Sequence, residues 1–202
     1  MKHIAIALAV AASSIECVAN DNIMNTLNTR QQDIVTVAAF EARGDMDGLA
    51  DAIGNALDNG IDISSLKEVF TQLYAYTGFP RSLNALGTLQ SVISKRSERG
   101  ICDNPGREAS PLPADYNALS KGTEVQTRLC GGTPFNYAFD AAEDYYLKAH
   151  LFGYIFERDI LTFAEREMAT IGALSALEGC ASQLKAHVSG TRNMGVTDDQ
   201  LH

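Results

Sequence analysis

A chain of 202 residues with 46% hydrophobic side chains is long enough for one sizeable domain or two small ones, and can build a core. A formal charge of −9 and a pI near 4.8 argue against a nucleic-acid partner, because phosphate-backbone binders display a basic face. No segment past the N-terminus approaches the roughly eighteen uninterrupted apolar residues of a membrane span, so no membrane insertion is expected.

The chain opens with Lys2, an unbroken apolar run from Ile4 to Ala12, and Cys17-Val18-Ala19, whose small final residue suits signal peptidase. Residues 1–19 are therefore predicted to be an export leader, cleaved near Ala19, which makes the protein periplasmic or secreted. The alternative is an N-terminal helix kept in the fold. Export leaves Cys102, Cys130 and Cys180 in the mature chain, in a compartment that permits disulfides. Cys102 and Cys130 fall in the Gly- and Pro-rich middle and are the candidate pair, which would leave Cys180 free; the alternative is that both are unpaired loop residues.

An internal repeat organises the rest of the chain. LADAIGNALDNGIDISSL (49–66) aligns with LKAHVSGTRNMGVTDDQL (184–201), matching Leu49 with Leu184, Gly60 with Gly195, Ile61 with Val196 and Leu66 with Leu201. Gly44 likewise matches Gly179, and every pair is 135 positions apart. Each copy reads as a helix reaching a glycine, a second helix, and a glycine stop. A third helix comes next, opened in the first copy by Asp62, with Glu68 expected to share in a capping box. The first unit, 27–97, continues through two helices broken at Gly78-Phe79-Pro80, where proline suits a first helical turn. Residues 98–138 hold Pro105, Pro111, Pro113 and Pro134 and read as a loop-rich connector. The second unit, 139–202, starts with a helix over 139–159 and stops at His202, where its third helix should begin, so it reads as truncated, the alternative being that another subunit completes it. No segment has strand periodicity. The expected fold class is all-α.

The stretches LKEVFTQLYAYTGFPRSLNAL, LKAHLFGYIFERD, and EREMATIGALSAL followed by QLKAHVSGTRNMGVT resemble the carboxymuconolactone decarboxylase family, within the wider alkylhydroperoxidase D-like group. The resemblance covers about 27–97 and 139–202, which implies a tandem form of that family's helical unit. It also implies a homo-oligomer, either a dimer or a trimer of dimers, and no metal or organic cofactor. Two chemistries are implied by it. Peroxidase-type members use a Cys-x-x-Cys pair, a histidine and a glutamate as a proton relay for thiol chemistry. Decarboxylase members act on a lactone acid through histidine and carboxylates. Here Cys180 matches the first redox cysteine and His187 the relay histidine, while Gln183 stands where the second cysteine belongs. Glu167 is the nearest match to the relay glutamate, one residue out of place. Disulfide cycling on this motif lacks its resolving thiol.

On a helix, Cys180, Gln183 and His187 share a face, but seven residues rise roughly 10 Å. The thiol and imidazole are thus too far apart for a direct hydrogen bond. The candidate set is His187, Glu167, Cys180, Gln183, His150, Arg166 and Tyr76. Each also has a plain structural reading. Cys180 fits a helix contact, His187 and Tyr76 fit a core, Arg166 and Glu167 fit a buried pair, and His150 fits a Leu- and Phe-rich helix. Two functions stand open. One is an enzyme acting on a peroxide or a lactone or carboxylic acid, with an external thiol reductant if Cys180 is the reactive group. The other is a binding protein that keeps the fold without turnover.

Overall fold

The structure is a computed structural model describing residues 26–201; the expected leader, residues 1–19, lies outside them. Every regular element among the described residues is helical, so the all-α expectation holds. The order is α1 (Thr29–Arg43), α2 (Met46–Asp58), α3 (Ile63–Thr77), α4 (Phe79–Glu98), α5 (Ala118–Leu129) and α6 (Ala141–Tyr145). A π-helix (Tyr146–Ile155), α7 (Phe163–Ser175), α8 (Ala181–Asn193) and α9 (Asp198–Leu201) complete it. No described helix is long and apolar enough to cross a membrane.

Local chemistry sets the helix ends. Asn28 with Gln31, and Thr162 with Glu165, form capping boxes that open α1 and α7. Asp45 and Asp62 cap α2 and α3 by accepting from the Gly48 and Ser65 amides. Glu68 does not complete a capping box with Asp62; Ser65 supplies the second bond through its hydroxyl, at 2.8 Å. Pro80 lies in the first turn of α4. Both α2 and α8 are 13 residues long. Each follows a glycine in the left-handed region, Gly44 at φ 73° and Gly179 at φ 79°, where a side chain would be strained.

The main core is built by α1 to α4 together with α7. Ile34, Leu49, Ile53, Phe70 and Met168 are wholly buried in it, each contributing roughly 1.5–3 kcal/mol. Helix α1 lies along α7. Gly172 permits the close approach, since a Cβ there would come within 2.7 Å of the Val35 carbonyl oxygen. Arg30 on α1 and Glu165 on α7 clamp the same pair of helices at 2.5 Å. A second cluster joins Val125 and Leu129 of α5 to Leu151, Phe152 and Ile155 of the π-helix and to Phe156, with Tyr76, Phe163 and Met194 at its margin. Tyr76 also borders the main core, so it marks the seam between the two.

Three expectations give way here. The connector 98–138 contains a full helix, α5, capped by Asn117. The helix expected over 139–159 is a short α-helix running into a π-helix, whose wider spacing continues at its end, where the Phe156 amide bonds to the Leu151 carbonyl at 3.0 Å. This segment crosses α5 with the backbones touching: any Cβ on Gly122 would collide with the Lys148 carbonyl, and one on Gly153 with that of Ala118. Finally, Cys102 and Cys130 are free thiols rather than a disulfide. Cys102 precedes Asp103, which Arg96 holds at 2.8 Å, and Asn104, whose carbonyl accepts from the Ile63 amide at 2.9 Å. Cys130 ends α5, where Asn193 of α8 bonds the neighbouring Leu129 carbonyl at 2.7 Å. The two cysteines are anchored to different elements.

Candidate functional site

Helices α7 and α8 meet at a buried carboxylate. Residues Arg166 to Thr170 of α7 are all buried, which puts Glu167 inside the fold with 1% of its side chain exposed. Across from it α8 presents Gly190, where a Cβ would lie 2.8 Å from Glu167 Oε2. That glycine lets the helices close, and His187, one turn earlier, lays its ring over the acid. His187 Nδ1 and Glu167 Oε2 are 2.9 Å apart. A carboxylate in this position accepts the Nδ1 proton, fixes the ring's tautomer and leaves Nε2 as the unbonded nitrogen. The imidazole keeps 16% of its side-chain surface exposed, so the ring reaches the surface.

Tyr76 completes the cluster from the last turn of α3, its ring set edge-on to His187 with centroids 5.6 Å apart. Its hydroxyl is buried and has no hydrogen-bond partner among the described residues, although Thr170 and the Glu167 carboxylate lie beside it. Burial, with the Glu167 charge adding, pushes the phenol well above its ordinary acidity range. Tyr76 is therefore a hydrogen-bond donor at every relevant pH, never a base. The second oxygen of Glu167, Oε1, is likewise buried and without a partner. Two unpartnered polar atoms thus flank one imidazole, where such groups are rare and call for a reason.

Arg166 does not pair with its neighbour Glu167. Successive helical residues point about 100° apart, and Arg166 faces α3. There it donates to Glu68 Oε1 at 3.1 Å and Gln72 Oε1 at 3.0 Å, and also to the Arg158 carbonyl at 2.7 Å. Arg158 donates to the same Glu68 at 2.8 Å. Burial lowers the Arg166 pKa, and the Glu68 charge opposes that. This network is structural, and it locks the register of α7 that aims Glu167 at α8.

The remaining candidates stay outside the cluster. Cys180 is the N-cap of α8 and makes no side-chain cap; its thiol reaches only the Glu178 carbonyl, at 3.6 Å. Gln183 is exposed and accepts from Ser182 at 2.8 Å. His150 is exposed on the π-helix against Tyr74, with centroids 5.7 Å apart. Sequence reading passed over Gly190 and Thr170. A glycine inside an otherwise helical stretch was the available signal for Gly190, because such a residue weakens a helix unless something must approach closely. It also passed over the surroundings of Cys130, whose thiol is pushed up in pKa by burial and then by the Glu167 charge. That is the opposite of an activated nucleophile.

Residues 145–202 match the family model of the carboxymuconolactone decarboxylase family. This region is similar to that family. The match spans the π-helix, α7, α8 and α9, and so includes both Glu167 and His187; an alkylhydroperoxidase D-like helical arrangement is consistent with it. No curated protein matches the chain.

Proposed function

We propose that the protein is a cofactor-independent acid–base enzyme acting on a small carbonyl-containing acid of the lactone-carboxylic type, with His187 as the proton-transfer group. The hydrogen bond between His187 Nδ1 and the buried Glu167 carboxylate, at 2.9 Å, carries this reading. Glu167 orients the ring and stabilises the imidazolium that forms when Nε2 takes a proton. In a decarboxylation, the bond to the carboxylate carbon breaks and carbon dioxide leaves. The electron pair stays on the adjacent carbon as an enolate, which the imidazolium Nε2 then protonates. The Tyr76 hydroxyl, still protonated and without an internal partner, is suited to donate to the developing enolate oxygen.

Thiol peroxidase chemistry has less to stand on. Cys180 is remote from the His187–Glu167 bond in its hydrogen bonding, and Gln183 supplies no second thiol. The test is a pair of substitutions assayed for carbon dioxide release from a lactone carboxylic acid, and for peroxide consumption with a dithiol reductant. His187→Gln is expected to lower decarboxylation by roughly 10²–10⁴-fold, the usual contribution of a positioned acid–base group, while Cys180→Ser retains it. Peroxide consumption abolished by Cys180→Ser and untouched by His187→Gln would overturn the assignment in favour of the thiol. A wild-type protein that binds the acid without releasing carbon dioxide would make it a binding protein.

A further inference from the structure

Two arginines beside the second cluster, Arg128 and Arg158, have hydrogen-bond donors to spare. They line a separate cavity of about 420 Å³ bounded by the end of α5, the segment after the π-helix, the start of α7 and Met194. Its apolar lining is Phe156, Leu161, Phe163 and Met194. Its volume lies within the range of ligand pockets, roughly 300–1,000 Å³. The rim carries two arginines and two acids, and their commitments differ. Asp159 is taken: Arg107 Nη1 reaches it at 3.0 Å and the Ser110 hydroxyl at 2.7 Å. Glu157 also lines the cavity, with Tyr116 and Lys121 near enough to feel its charge. Arg158 uses only Nε, on Glu68. Arg128 is exposed and makes no side-chain hydrogen bond or ion pair among the described residues; its guanidinium lies over the Phe163 ring at 5.2 Å.

We infer that this cavity is a binding site for a flat aromatic anion, held by the Arg128 guanidinium and seated on Phe163, Phe156 and Met194. An arginine planted on an aromatic face is desolvated on one side and pre-oriented, so its outward edge can take a carboxylate in bidentate fashion. The unused Nη groups of Arg158 and the Phe163 and Ala164 amides, the two of the first α7 turn that the Thr162–Glu165 capping box leaves free, add donors on the same wall. The cation beside an apolar floor excludes neutral hydrocarbons and small hydrated anions as good ligands, since each satisfies only half of the site. The cavity does not include His187 or Glu167.

The probe is benzoate, titrated into the protein carrying ¹³C-methyl methionine. Saturable movement of the Met194 methyl signal is expected, with a Kd tighter than about 1 mM. Met46, which packs against Thr88 on the far side, should not move. Arg128→Gln is expected to weaken benzoate binding on the order of tenfold or more, in line with loss of a charge-assisted pair. Arg128→Lys should recover part of it, and Phe163→Leu should weaken it less than Arg128→Gln. His187→Gln should leave binding unchanged, which separates failure of this site from failure of the catalytic pair. Benzyl alcohol binding as tightly as benzoate, equal affinity in Arg128→Gln, or no movement of the Met194 signal would each overturn the proposal.

Discussion

Glu41 on α1 and Glu167 on α7 are both buried acids with one bonded and one unpartnered oxygen, yet the fold treats them differently. The bonded oxygen of Glu41 accepts from the Thr77 hydroxyl at 2.8 Å, on an α3 turn whose preceding residue, Tyr76, faces the other acid's site. A hydroxyl is not basic enough to hold the carboxyl's proton and brings no charge to offset its burial. Burial therefore dominates, and the Glu41 carboxyl is raised to about 7, against the Thr77 bond and the Arg81 charge. Glu167 is bonded to an imidazole that still reaches the surface. The same element of chemistry, a buried carboxylate, is bonded to a hydroxyl on α1 and to a surface-reaching imidazole on α7. What separates them is the partner, together with the glycine at 190 that lets the partner approach.

Twin substitutions test that contrast. Glu167→Gln removes the charge that fixes the His187 tautomer and stabilises its protonated form, so turnover is expected to fall by about 10²-fold or more. Glu41→Gln should leave turnover near wild type. Steady-state kinetics on both variants decides this, and equal losses would mean that the two acids belong to one coupled network.

The next effect is on stability. Glu41 binds its proton up to about pH 7 in the folded protein but releases it near 4.5 when unfolded. Below about 4.5 it is protonated in both states and has no influence. As pH rises from 4.5 to 7 the unfolded state gains the advantage of ionising first, and stability falls; above 7 the full loss of about 3 kcal/mol persists. Glu41→Gln should therefore raise the urea midpoint at pH 8 and change it little at pH 4.5. A loss of stability equal at both pH values would show that the carboxylate is ionised and held by Arg81.

How much of this was legible beforehand varies by kind of signal. Helix punctuation was readable because it is local: Gly44, Gly60, Gly78 and Pro80 act through their own backbone, and the breaks between α1, α2, α3 and α4 fall at them. Glu167, His187 and Tyr76 were readable as candidates, but their meeting depends on register between distant helices. Nothing within the sequence says that Arg166 turns to Glu68 while Glu167 turns to His187. The π-helix and the disulfide failed for a similar reason. A backbone crossing at Gly122 and Gly153, and the separation of Cys102 from Cys130, are properties of packing partners.

A smaller effect comes from the third group at the pair. Tyr76→Phe removes a buried hydroxyl with no internal partner, so folding stability should be unchanged or slightly raised. Turnover should nevertheless drop by roughly tenfold, the loss of one donor to the reacting oxygen. A fall in stability without a fall in kcat would mean that the hydroxyl is satisfied by Thr170 and plays no part in the chemistry.

The smallest effect is expected at Cys180, and it bears on which half of the resemblance this chain follows. Cys180 stands in α8 where Asp45 stands in α2, 135 positions earlier, and Asp45 caps its helix by accepting from the Gly48 amide. Cys180 makes no such bond, so the position is an N-cap filled by a poor capping residue. Serine is among the better N-cap residues. Cys180→Ser should thus stabilise the protein by a fraction of a kcal/mol up to about 1 kcal/mol, and leave turnover within about twofold, because His187 lies about two turns further along α8 and Glu167 on α7. Thermal melts and kinetics on the same preparation read both quantities. A stabilised variant with intact turnover confines the cysteine to the helix end; a variant that folds but has lost its activity would move the working group from the imidazole to the thiol.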